Sequence, residues 1–230
     1  MARNFLTGLN LLTELLLNGS AGTSGQGLRS QGPNLPPAWV TVTPNAYVVG
    51  NYIAPVVANI ATGAASVAGT ATLVPFIPLI SCTVSDLSAR VVGVVASSLI
   101  QLMFYETTGT SPWPTNCVGA TAATLSGATA TTIEGSVTPF NLTAGRVFWM
   151  VANANAASIT MVSVATTSTH TMSIIGANTA AGVFTTGPGA TVGYTTSITF
   201  GTTPSLSGAT LTAGTGARST IIAFKVSALL

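Results

Sequence analysis

The chain has 230 residues, of which 47% are hydrophobic and only 4% charged: six Lys or Arg, four Asp or Glu, and one His. Against the roughly one-quarter typical of soluble domains, that scarcity excludes a basic stripe able to track a phosphate backbone, so no nucleic-acid partner is expected. It also leaves a surface of Thr, Ser, Gly, Asn and Ala, which resists self-association poorly and is most simply explained by burial in an assembly.

The mean hydropathy of +0.62 raises a membrane alternative. The two longest apolar stretches, 5–17 and 91–105, are interrupted by polar residues and fall short of the about 20 residues a spanning helix needs. Aromatic residues are only 7% of the chain, too few for the girdles of a membrane barrel. No membrane insertion is expected. The first residues also make a poor signal peptide, because Asn10 and Glu14 interrupt the apolar run.

In chain order, residues 1–20 carry Phe5, Leu9, Leu12 and Leu16 at helical spacing, weakened by Gly8 and Asn10. A short helix or an extended arm is expected there, in need of a partner to cover its apolar face. Residues 21–38 are rich in Gly and Ser and close on Pro36-Pro37, which reads as a linker. From 39 to 230 the text is one of short strands. Trp39 to Thr43 alternates as a first strand, and 47–57 is strand-like with a bend at Pro55. The segment T-L-V-P-F-I-P-L-I at 72–80 is dense and apolar, and its prolines assign it to an edge or bulge.

Residues 84–95 alternate, with Leu87, Ala89 and Val91 on one face. Residues 99–105 are apolar on both faces, which predicts a strand lying deep or against a neighbouring subunit. A loop follows at 106–119, then strands at 129–137 and 146–152 joined by a turn at 139–145, and another at 159–164. A strand at 192–200, a Gly/Ser/Thr loop at 202–216 and a closing strand at 220–226 complete the chain. Turn signals at about ten-residue spacing point to an all-β sandwich.

Several of these pieces resemble the jelly-roll domain at the C-terminal end of structural proteins of tailed bacteriophages. They are T-L-V-P-F-I-P at 72–78, L-S-A-R-V at 87–91, L-M-F-Y-E-T-T-G-T-S-P-W-P at 102–114, F-N-L-T-A-G-R-V-F-W-M-V at 140–151, G-T-T-P-S-L at 201–206 and I-I-A-F-K-V at 221–226. N-F-L-T-G-L-N-L at 4–11 is similar to the short virion-anchoring start of phage fibre proteins. The resemblance implies a jelly-roll-like β-sandwich behind an N-terminal anchoring arm. It further implies a virion component, a homotrimer anchored to other virion proteins through residues 1–20, exposed on the particle and contributing to host attachment. A capsid decoration or head fibre, and a secreted carbohydrate-binding module, are the alternatives. The chain departs from the family in its low charge and in having only a Gly/Ser linker where a longer N-terminal module is usual.

Chemistry is sparse. His170 is the single histidine and stands in a Thr/Ser tract with no nucleophile or carboxylate at a triad-like spacing. Glu14, Asp86, Glu106 and Glu134 are scattered, and nothing pairs two of them for glycoside cleavage. No metal-ligand cluster and no phosphate loop is present, so neither an enzyme nor a cofactor is expected. Cys82 and Cys117 read as two small buried thiols, with a bond between them left open. The one binding hypothesis concerns the loop from 105 to 116. There Tyr105 and Trp113 would stack on a sugar ring and Glu106 and Asn116 would hydrogen-bond its hydroxyls, as on a host cell-surface glycan. The competing reading has Trp113, between Pro112 and Pro114, packing as a loop plug or against a neighbouring subunit.

Overall fold

The structure is a computed structural model that describes residues 26–29, 37–41, 47–54, 60–63, 65–164, 193–213 and 220–230. The chain divides into two compact units, Met1–Ala46 and Tyr47–Leu230. In the first, β1 (Gln26–Arg29) pairs antiparallel with β2 (Ala38–Thr41). The stretch read as linker therefore contains a strand, and the residues read as the first sandwich strand pair with it. Two short runs separated by S-Q-G-P-N-L-P-P have the composition of a hairpin, a pattern hidden by the surrounding Gly and Ser. The expected arm at 1–20 lies outside the described residues.

The second unit contains β3 (Tyr52–Ile53), β4 (Ile60–Thr62), β5 (Thr70–Phe76), β6 (Cys82–Gly93), β7 (Leu99–Thr107), β8 (Pro114–Ala120) and β9 (Leu125–Ser126). β10 (Thr132–Leu142), β11 (Phe148–Ala154), β12 (Thr160–Val164), β13 (Tyr194–Ser197), β14 (Thr212–Ala213) and β15 (Ala223–Leu229) follow. Every pairing is antiparallel. One sheet contains β4–β12–β6–β10 and the other β5–β11–β7–β8, and the chain passes back and forth between them. That strand order is a jelly roll. To it are added β15, which pairs with β6 below β12, β3, which pairs with β15, and β13 and β14, which extend the second sheet beyond β5. The fold is thus the all-β sandwich the sequence indicates, and among the described residues every regular element is a strand.

Between the sheets lies the main core. Phe76, Phe104, Phe140 and Phe224 come from four different strands of both sheets. Phe104 meets Phe76 at 5.3 Å, Phe140 at 5.6 Å and Phe224 at 5.9 Å between ring centroids. The contacts with Phe76 and Phe224 are edge-on and that with Phe140 is tilted; such aromatic pairs add to the burial of apolar area.

Along β6 the inward side switches parity. Cys82 and Val84 are buried, then Leu87, Ala89 and Val91. The switch falls at Ser85 and Asp86, where the registers with both β10 and β15 slip. This is a β-bulge, and on the β10 side it also absorbs Pro139 inside a strand expected to have ended. The proline-based expectation for 72–80 is met in part. β13 pairs only residues 70–73, so the first half of β5 is interior, while Pro75 has a strand partner on β11 alone. The missing N–H of Pro75 is tolerated because no second strand needs it.

β7 is apolar on both faces because it has a core on each. Ile100, Leu102 and Phe104 face the sandwich interior, whereas Met103 and Tyr105 join Ala71, Leu73, Trp149, Val151, Ile198 and Leu206 in a second core on the outer face of that sheet. The chain's own segment 198–211 covers this face, so the depth of β7 needs no neighbouring subunit. Gln101 and Asn153, directly opposite across β7 and β11, are buried there with their amides donating to the Thr121 and Ile198 carbonyls.

Candidate functional site

The β7–β8 hairpin ends in a turn at 108–113, shorter than the loop expected from the sequence, since the strands resume at Pro114. The turn is fastened from below. Trp149, fully buried on β11, donates its indole N–H to the Pro112 carbonyl at 2.9 Å. Trp113 stacks on Trp149 with centroids 6.0 Å apart and planes 26° apart. Tyr194 on β13 closes the group, edge-on to Trp113 at 5.4 Å and to Trp149 at 5.5 Å. One face of the Trp113 ring is therefore occupied, yet the residue stays 42% exposed.

Opposite Trp113 stands the segment 206–211. It is pinned to β8 by Leu206 N–H donating to the Thr115 carbonyl at 2.8 Å and by Ser205 Oγ donating to the same oxygen at 3.2 Å. Gly208 turns the segment with φ of 74°, in the left-handed region where a side chain would be strained. Between turn and segment lies an open cleft of about 360 Å³, within the range of small-ligand sites. Trp113, Thr108, Ser111, Thr115, Ser207 and Leu211 are among the residues around it, and no charged side chain lines it.

Of the residues singled out from sequence, Tyr105, Trp113 and Asn116 do not converge. Trp113 is on the cleft wall. Tyr105 is fully buried beneath, its hydroxyl donating to the Pro204 carbonyl at 3.0 Å, so it has no face to offer a ligand. Burial also raises its phenol pKa well above the ordinary value. Asn116 is not in a loop but on β8, paired with Glu106. Successive strand residues point to opposite faces, and Cys117 and Tyr105 belong to the outer core, so Asn116 points to the other face. There its amide reaches Glu106 Oε1 at 3.5 Å. The plug reading of Trp113 and its half-exposure hold together: the ring packs on Trp149 and still lines a cleft.

Trp149 and the 206–211 wall were missed. Trp149 sits in F-W-M-V, indistinguishable from any core strand. Leu206 and Leu211, two large apolar residues in a Gly/Ser/Thr stretch, were the available signal that 202–216 packs on something.

Elsewhere the described residues hold little chemistry. Asp86 is engaged by Ser85 Oγ at 2.7 Å, Ser136 Oγ at 2.8 Å and Lys225 Nζ at 3.8 Å. Cys82 and Cys117 are both unbonded and lie in the inner and outer cores respectively. Burial pushes each thiol up to about 11, which keeps them protonated and poorly nucleophilic. Among the described residues no three His, Cys, Asp or Glu side chains gather, and no helix is long and apolar enough to cross a membrane. His170 and Glu14 lie outside the described residues. A scan against protein-family models finds no match, and a search among curated proteins finds no similar sequence.

Proposed function

We propose that this chain is a non-enzymatic structural protein of a tailed-phage particle. It would be a homotrimeric fibre or appendage, held to other virion proteins by residues 1–20 and contributing to host attachment through its projecting jelly roll. The observation that carries the self-assembling part of this reading is one end of the sandwich. There the turn at 77–81, the residues around Val48 and Val49, and the last residues of β15 meet. Leu79 N–H donates to Tyr47 Oη at 3.3 Å, and Leu230 N–H to the Ser81 carbonyl at 3.0 Å. Leu79 is 70% and Leu230 65% exposed, with Val48, Val49 and Ile77 also outside.

Apolar area of this kind marks an interaction surface, and in a chain with only 4% charged residues most of the polar surface is cheaper to desolvate than ionised surface. The virion assignment itself rests on the resemblance of the strand-and-turn motifs. Gold-labelled antibody against residues 47–230, applied to purified particles, tests it. Label on the tail supports the fibre reading, label on the shell supports the decoration or head-fibre reading, and unlabelled particles reject both. The cleft beside Trp113 is the one observation favouring a secreted carbohydrate-binding module instead, and a stable monomer with sugar affinity would select that reading.

A further inference from the structure

We infer that the cleft between Trp113 and the 206–211 segment is a binding site for a short neutral saccharide. The inference deepens the attachment part of the reading above and rests on it only for its biological meaning. Three features select this chemistry. The first is the aromatic platform. Trp113 stacks on Trp149 and meets Tyr194 at right angles, and the exposed part of its aromatic surface is held in place on the cleft wall before any ligand arrives. A pyranose ring presents a patch of C–H groups that fits such a face, and a preset platform avoids the ordering cost that weakens most small-ligand sites.

The second feature is the hydroxyl rim. Thr108, Ser111 and Ser207 edge the cleft. Ser111 Oγ accepts the Trp113 N–H at 3.3 Å, which leaves its own proton to donate outward. The third is charge. With no ionised side chain in the lining, an acidic or basic ligand would be desolvated without compensation. An extended peptide adding itself as a strand is also disfavoured, because such a peptide needs an open sheet edge. At the cleft the β8 edge is already taken, since the Thr115 carbonyl accepts from both Leu206 N–H and Ser205 Oγ.

The test uses the full chain. Tryptophan fluorescence and amide NMR spectra are followed while maltotriose, cellotriose, chitotriose and, as the acidic comparison, sialyllactose are added. The expected result is a saturable change with at least one neutral sugar and a weaker one with sialyllactose. Shifted amides should be confined to 108–115 and 206–211. Trp113→Ala should weaken binding by about two- to tenfold, the scale of one lost aromatic contact. Should that variant fold poorly, Ser207→Trp fills the cleft from the exposed wall, away from Trp149, and should abolish binding with an unchanged melting temperature. No saturable change with any neutral sugar overturns the inference, as does binding undiminished in Ser207→Trp. Concentration-dependent shifts at 206–211 without sugar also overturn it, because the cleft would then be a contact between copies. None of these failures touches the particle reading, which the antibody label decides.

Discussion

At the scale of single residues, Asp86 is the clearest electrostatic element. Its carboxyl is held below the ordinary 3.8 by the Ser85 hydroxyl, with partial burial opposing and the Ser136 hydroxyl and Lys225 adding to the lowering. A depressed folded pKa means that the unfolded chain takes up the proton first. The stabilisation is complete above the unfolded value and is lost as pH falls through the folded one. Asp86→Asn should therefore cost about 1 kcal/mol at neutral pH. The gap between wild type and variant should narrow as the pH falls to and below the ordinary carboxyl value of 3.8, as read from urea midpoints over acid pH. Tyr105 makes a second residue-scale prediction. Tyr105→Phe keeps the packing and removes only the bond to the Pro204 carbonyl, leaving that oxygen without its donor. A loss of about 1 kcal/mol is expected in thermal or urea unfolding. An unchanged midpoint would mean that the 198–211 segment is not fastened through this hydroxyl.

At the scale of elements, β8 depends on a glycine. A Cβ built at Gly119 would run into the ring of Phe140 on β10, which itself packs on Phe104 in the inner core. Gly119→Ala should destabilise the sandwich by about 1–3 kcal/mol, the range for overpacking a filled core. The double variant with Phe140→Leu should recover part of that loss, whereas additive losses would show that the two positions do not share the space.

Strands dominated by local pattern were legible in the sequence: β6, β11 and β12 lie within about two residues of the expected 84–95, 146–152 and 159–164, whereas the closing β15 begins at Ala223 rather than at 220. What was not legible depended on partners distant in the chain. Pro112, Trp113, Pro114 and Asn116 have the composition of a loop, yet Pro114 opens a strand, where a missing N–H is tolerated. The bulges at Ser85–Asp86 and before Phe140 shift inward-facing parity without any mark in composition. Likewise the site was half legible. Trp113 was found because a Trp between prolines stands out, while Trp149 and the 206–211 wall owe their roles to a second core that no single segment announces.

At the scale of the whole molecule, the scarcity of charge and the apolar end make one statement. The second core shows that the chain covers much of its apolar surface itself, including β7, so the appeal to neighbouring subunits narrows to the end around Leu79 and Leu230. If that end is a subunit contact, Leu79→Asp should shift the protein toward single chains while leaving the β spectrum by circular dichroism unchanged, since an exposed side chain contributes little to folding. The measurement that bears most directly on the account is the mass of the purified chain by sedimentation equilibrium at micromolar concentration. The account predicts three times the 22.9 kDa chain mass. A single-chain mass that persists as concentration rises would contradict it.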